Sequence, residues 1–165
     1  MRLQEALRDA MVRFSRRNDG VLPDHILVYR GSVDYREWEA VRTEEVKAIL
    51  MLTQSIDAMS MATDSHTGEH YKPELTFVAI TKRVGMRFFQ SSEDGLSAVL
   101  QVEPGTVVDS EEIGRYDAMS FFLVSHAVAK GTAVPTQYVV LHHSGADSLS
   151  AAALQHLTYR LSMLC

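Results

Sequence analysis

The stretch Leu75-Thr76-Phe77-Val78-Ala79-Ile80-Thr81-Lys82-Arg83 decides how this chain is read. Its first six residues are nearly all apolar, include β-branched and aromatic side chains, and show no alternation of apolar with polar positions. A short run of that kind predicts a strand covered on both faces. The run ends in Lys82 and Arg83, and Arg87-Phe88-Phe89 follows. A cationic group at the carboxyl end of a buried strand is where an open α/β sheet tends to meet its ligand.

Upstream, Leu3, Ala6, Leu7, Ala10, Met11 and Phe14 recur at steps of three and four, which predicts a helix from about Leu3 to Arg17. Asn18-Asp19-Gly20 ends it, with Gly20 suited to a left-handed terminal position. His25-Ile26-Leu27-Val28-Tyr29-Arg30 reads as a further buried strand. A second helix is expected after Asp34, with Glu37 three positions on in the manner of a capping box. Its core face is Trp38, Val41, Ile49, Leu52, Ile56 and Met59, and it frays between Met59 and Thr63. Ser60 to Lys72 reads as a polar loop.

Downstream, Ser91-Ser92-Glu93-Asp94-Gly95 reads as a mobile loop and Gly105-Thr106-Val107-Val108-Asp109 as a short strand. Phe121–Ser125 and Gln137–Leu141, joined across Lys130-Gly131-Thr132, are expected to be antiparallel neighbours. A last helix starts at Ser150 as N-cap and buries Leu154, Leu157, Leu161 and Leu164. Helix–strand–helix–strand order followed by more strands implies an α/β fold with a mixed sheet flanked by helices. The strand at Ile26–Tyr29 is expected at an exposed sheet edge.

The 165 residues suffice for one domain with a core. A net charge of −5 excludes a uniformly basic nucleic-acid binder, so any such contact must come from a local positive patch. The one cysteine, Cys165, excludes a disulfide framework and favours a reducing compartment, the cytosol or the nucleus. No apolar run reaches the ~18–20 residues of a membrane span, and no membrane partner is expected.

Several segments, taken in order, resemble the PIWI domain of Argonaute proteins. They are Pro23-x-x-Ile26-Leu27-Val28-Tyr29-Arg30, Tyr71-Lys72-Pro73-x-Leu75-Thr76-Phe77-Val78 and Lys82-Arg83-x-x-x-Arg87-Phe88-Phe89. Then come Pro104-Gly105-Thr106-Val107-Val108-Asp109, Phe121-x-Leu123-x-Ser125-His126-Ala127 and Gly131-Thr132-x-x-Pro135-Thr136-x-Tyr138-x-Val140-Leu141, with Leu154-Gln155-x-Leu157-Thr158-Tyr159 last. The resemblance implies a ribonuclease-H-like fold that holds a small guide RNA paired to a target RNA. It also implies that residues 1–165 are a partial domain, lacking N-terminal strands and the C-terminal end.

Slicing members of that family cut the target by two-metal hydrolysis, in which acidic side chains fix two magnesium ions. The resemblance puts the first aspartate and the glutamate of that site upstream of Met1 and the fourth ligand beyond Cys165. The second aspartate follows a Tyr-Arg pair; here the pair is Tyr29-Arg30 and the next residue is Gly31. No catalytic and no metal-ligating residue is therefore assigned, and no cofactor is expected of this chain. Asp34 reads as a helix cap and Asp109 as a strand-end residue rather than as ligands.

For guide binding the resemblance singles out Lys82, Arg83 and Arg87, with His126, Lys130 and Thr132 around the Gly131 turn. Lys and Arg suit phosphate oxygens, and glycine lets main-chain amides approach them. Where the family often has arginine before the proline of this turn, the chain has Val134. The expected function is a guide-RNA-binding module in RNA silencing without slicer activity. Alternatives are part of an RNA-guided endonuclease completed by residues outside this chain, and a fragment that docks tryptophan-containing partner proteins. His66, His70, His142 and His143 lack zinc-site spacing, Ser125-His126 is not triad-like, and no P-loop or dinucleotide motif occurs. Phe88-Phe89 and Phe121-Phe122 read as core and strand residues rather than base-stacking platforms.

Overall fold

A computed structural model describes residues 3–60, 71–82, 84–91, 99–109, 119–145 and 148–164. The elements are α1 (Leu3–Arg17), β1 (His25–Gly31), a 3₁₀ turn (Tyr35–Glu37), α2 (Trp38–Val41), a π-helical turn (Arg42–Val46) and α3 (Lys47–Ser60). They continue as β2 (Glu74–Thr81), β3 (Phe89–Ser91), β4 (Val99–Gln101), β5 (Val107–Asp109), β6 (Ser120–Leu123), β7 (Thr136–His143) and α4 (Ala151–Ser162). Five strands form one mixed sheet in the order β1-β2-β7-β6-β5, and β3 pairs with β4 in a separate two-stranded sheet. β5–β6 and β6–β7 are antiparallel, with Val108 opposite Phe122 and Phe121 opposite Tyr138. The expected pairing of the Phe121 and Tyr138 strands is thus found.

The chain divides into two compact units, Met1–Val28 with Tyr35–Phe77 and His142–Gly145, and Tyr29–Asp34 with Val78–Leu141 and Ala146–Cys165. β2 is buried at five successive positions, Leu75 to Ala79. Successive strand residues point to opposite faces, so both faces of β2 are covered, as its unbroken apolar run requires. β1 differs from the expectation of a buried strand: only Ile26 is fully buried along it. Its place at one end of the sheet explains this, because an end strand is flanked on a single side.

In the first unit α1 packs on α3, yet only Met11 of its apolar face is buried, and Phe14 is exposed. Asp19 and Gly20 both take positive φ at the helix end, as the Asn-Asp-Gly signal implies. The helical segment starts directly after Asp34, as expected, but as a 3₁₀ turn, and the N-cap of α2 itself falls on Glu37. The buried positions Trp38, Val41, Val46, Ile49 and Leu52 carry a step of five between Val41 and Val46. A regular α-helix would swing that step off the core face; the wide π turn at 42–46 restores it and leaves Arg42, Thr43 and Glu44 exposed.

Thr76 puts a hydroxyl into the fully buried run of β2 and is satisfied there by two imidazoles. Its Oγ1 lies 2.8 Å from His25 Nε2 and 2.8 Å from His143 Nδ1. His25 Nδ1 in turn sits 3.3 Å from Glu74 Oε2. Gly145 is buried against this cluster, where a Cβ would collide with the Glu74 carboxylate and the His25 ring. Ser144 Oγ accepts from the Leu75 amide at 2.8 Å, and the Tyr71 hydroxyl donates to the Pro23 carbonyl at 2.8 Å. Burial, and then the Asp24 carboxylate, push the Tyr71 hydroxyl far above its ordinary range, so it remains a donor.

In the second unit Tyr138 stacks on Phe121 at 5.1 Å and meets Tyr29 edge-on at 6.4 Å. The Tyr29 hydroxyl bonds Thr158 Oγ1 of α4 at 2.6 Å. Ser150 caps α4 as expected, its Oγ accepting from the Ala153 amide at 3.3 Å. The buried stripe of α4 is Leu154 and Thr158; Leu161 and Leu164 are exposed, contrary to the leucine pattern. Gly105, with φ of 92°, lies where a Cβ would come 3.2 Å from the Tyr159 ring, so α4 approaches the start of β5 closely.

His142, in β7, buries its Nε2 without a hydrogen-bond partner among the described residues. Burial first, and the neighbouring His143 second, lower its pKa from 6.5. The folded chain therefore favours the neutral ring, while the unfolded chain takes up a proton near the ordinary value. Stability contributed here is complete above 6.5 and is lost as pH falls through that value toward the lowered folded pKa. Urea unfolding compared at about pH 7.5 and about pH 5 should show a smaller acid loss for His142→Gln than for the parent chain. Equal losses would contradict this role.

Candidate nucleic-acid interface

β2 carries no charged side chain between Leu75 and Thr81, so the first cation appears where the strand leaves the sheet. Thr81 Oγ1 donates to the Val33 carbonyl at 2.9 Å and ties this strand end to the segment after β1. Lys82 follows and is exposed. Arg83 lies outside the described residues, as do His66 and His70.

Arg87 is exposed, and its Nη1 donates to the carbonyls of Val84 at 3.1 Å and Met86 at 2.7 Å. One guanidinium nitrogen thus closes the 84–87 loop, and Nε and Nη2 make no hydrogen bond among the described residues. Phe88 anchors the loop by an edge-on contact with Phe122 at 5.6 Å. It therefore serves packing, as expected, whereas Phe89 is 52% exposed at the start of β3.

β3 and β4 bring a further segment to this place. Phe89 stands directly opposite Gln101 in their register. The Gln101 side chain reaches the Lys130-Gly131-Thr132 turn: Nε2 donates to the Gly131 carbonyl at 2.5 Å, and Oε1 accepts from the Ala133 amide at 3.4 Å. Gly131 has φ of 83°, the left-handed region that favours glycine. Lys130 is exposed and Thr132 half-buried. Arg87 and Lys130-Thr132, 43 residues apart in sequence number, are thereby attached to one hairpin. Sequence reading missed Gln101; its one signal was a long polar side chain closing the short run Val99-Leu100-Gln101.

His126 lies exposed on a bend beyond β6. The adjoining backbone is fixed by exchange between Val124 and the 105–106 segment: Gly105 N–H donates to Val124 O at 2.7 Å and Val124 N–H to Thr106 O at 3.0 Å. No hydrogen bond or close contact joins His126 or Lys82 to the Gln101 bracket among the described residues. Val134 is 48% exposed and Pro135 fully buried, so the position before the proline faces outward with an apolar side chain.

Among the described residues, the donors at the positions expected for magnesium do not fit it. Gly31 ends β1 with no side chain to offer, and a Cβ built there meets nothing within 4 Å. Packing does not demand glycine at that position. Asp109 Oδ1 accepts from Gln155 Nε2 at 2.5 Å, which assigns that carboxylate to pinning α4 against β5. Among the described residues no group of three or more His, Cys, Asp or Glu side chains is placed to hold a metal ion. None of their helices is long and apolar enough to cross a membrane.

The architecture, a mixed sheet flanked by helices, is that of a ribonuclease-H-like α/β fold. The sequence profile of the Piwi domain matches residues 1–164, and the chain belongs to this family. It is 33% identical over 162 residues to Piwi-like protein Ago3 of Bombyx mori, covering 98% of this chain and 16% of the relative. Protein argonaute-2 of Drosophila melanogaster is 36% identical over 140 residues, covering 84% of this chain and 10% of that protein. Among solved structures, Drosophila Piwi superposes with a TM-score of 0.77 at 28% identity, over 96% of this chain and 19% of that one. Kluyveromyces polysporus Argonaute with a guide RNA gives 0.71 at 26% identity, over 94% and 17%. The chain thus spans no more than about a fifth of each of these proteins.

Proposed function

We propose that this chain is a nucleic-acid-binding module of an Argonaute- or Piwi-type protein, which grips the ribose–phosphate backbone of a guide RNA in RNA silencing. One observation carries the reading: the loop bearing Arg87 and the turn bearing Lys130 and Thr132 are fastened to the same hairpin. Exposed cations and a glycine turn on one scaffold suit a backbone of regularly spaced phosphates. Lys82, exposed at the exit of β2, and His126, exposed beyond β6, are further phosphate contacts in this proposal. Contacts of this type read charge and shape; sequence choice falls to pairing between guide and target.

Binding of a single-stranded oligoribonucleotide should weaken as salt rises, because each phosphate contact releases condensed counterions. Replacing Lys82, Arg87 and Lys130 together by alanine should weaken binding and flatten the plot of log affinity against log salt by about 2, at about 0.7 per contact. Unchanged affinity and slope would reject the proposal.

We further propose that this polypeptide does not slice its target, since Gly31 stands where the family's second aspartate is expected. Incubation with a guide–target duplex and magnesium should leave the target intact. Magnesium-dependent cleavage, abolished by chelation, would overturn this.

A second reading, docking of a tryptophan-containing partner, is favoured by a cavity of about 390 Å³ in the first unit. Met11, Val12, Leu22 and Ile56 give it apolar walls, and Arg8 and Arg16 line it as well. Its volume lies in the range of small-ligand pockets, about 300–1,000 Å³, and the guanidinium groups suit an indole face or a nearby acidic residue. Val12→Glu should abolish binding of a tryptophan-containing acidic peptide while leaving RNA affinity intact. Undiminished peptide binding would sink the assignment.

A further inference from the structure

We infer that Gln101 is the positioning residue that sets the Lys130-Gly131-Thr132 turn in an anion-receiving conformation; this rests on the proposed binding of a phosphate backbone. Gln101 closes β4, so its backbone is held in register against Phe89. Its side-chain amide then behaves as an added peptide group beside the turn. The NH₂ end donates to the Gly131 carbonyl and the carbonyl end accepts from the Ala133 amide. Both bonds engage one side of the backbone. Across the trans peptide that joins them, the Gly131 carbonyl and the Thr132 N–H point to opposite sides, so that N–H faces away from Gln101.

Three successive amides of the turn, those of Lys130, Gly131 and Thr132, make no hydrogen bond among the described residues. Successive backbone donors around a left-handed residue form an anion-binding concavity, and Gly131 has that conformation. A Cβ at Gly131 would meet nothing within 4 Å, so the turn is not held by packing at that point. The two bonds from Gln101 supply a direct tether. Neither near-isostere reproduces them. Asparagine is one methylene too short from the same backbone position. Glutamate keeps the acceptor for Ala133 but sets a carboxylate oxygen against the Gly131 carbonyl. The ligand is a phosphate oxygen of the nucleic-acid backbone, and Gln101 itself does not touch it.

A double-mutant cycle on the 165-residue chain separates this inference from the reading beneath it. Affinity for a single-stranded oligoribonucleotide is measured for the parent, Gln101→Ala, Lys130→Ala and the pair, with Lys82→Ala as a distant control. Gln101→Ala is expected to weaken binding about fivefold, and the pair to lose little more than Lys130→Ala alone. Gln101→Ala and Lys82→Ala are expected to act additively, whereas a general loss of stability would affect the Lys82 and Lys130 pairings alike. Gln101→Asn, which retains a folding-compatible amide, should bind as weakly as Gln101→Ala; its amide NMR spectrum reports the fold and the position of Gly131 and Thr132. Full additivity between Gln101 and Lys130, or wild-type binding by Gln101→Asn, would overturn the positioning role. No effect of Lys130→Ala by itself would instead remove the phosphate reading of this turn.

Discussion

Burial of β2 on both faces is the constraint from which the other arrangements follow. A strand with five successive buried positions, Leu75 to Ala79, has no side on which to carry charge. Leu75, Phe77 and Val78 each contribute roughly 1.5–3 kcal/mol when fully buried, so the run is held firmly in the sheet. Thr76 is tolerated because His25 and His143 both meet its hydroxyl. Polar chemistry is displaced to the strand's exit, where Thr81 is bonded to Val33 and Lys82 is exposed. A rigid strand thus delivers a cation to a fixed place, while the loops beyond it are at liberty to differ.

The loops are organised by pairings too short to be strong individually. β3 and β4 have three residues each. Phe88 fixes the near end of the hairpin on Phe122, and Gln101 fixes its far end on the Gly131 turn. Arg87 spends part of its guanidinium on its own loop, which lowers its freedom before any ligand arrives. Groups ordered in this way lose less entropy on binding than mobile surface cations do. Gly31, where a Cβ would meet nothing within 4 Å, is not itself part of that scaffold's packing.

Much of the fold was legible because local signals agreed with their surroundings. The β2 run, the Asn-Asp-Gly end of α1, the Ser150 cap and the Phe121–Tyr138 pairing each had a local physical cause. Failures came where tertiary context decided. β1 has a strand's composition, but its end position leaves most of it only half-buried. Leucine periodicity in α4 continues to Leu161 and Leu164, yet the buried contact is made by Leu154 and the polar Thr158, paired with Tyr29. The step of five from Val41 to Val46 was a visible sign of a π turn and was not read as one. The basic residues of the candidate interface could be named from resemblance, but the attachment of the Lys130–Thr132 turn to the β3–β4 hairpin depends on Gln101, whose partner is 30 residues away. No local pattern encodes that bond.

Backbone amide shifts recorded by NMR during titration with a short single-stranded oligoribonucleotide would test phosphate binding by the second unit most directly. Perturbations should centre on Lys82, Arg87, Gly131 and Thr132 and shrink as salt is raised. Perturbations confined to α1 and α3, or none at all at concentrations that saturate related RNA-binding modules, would contradict it.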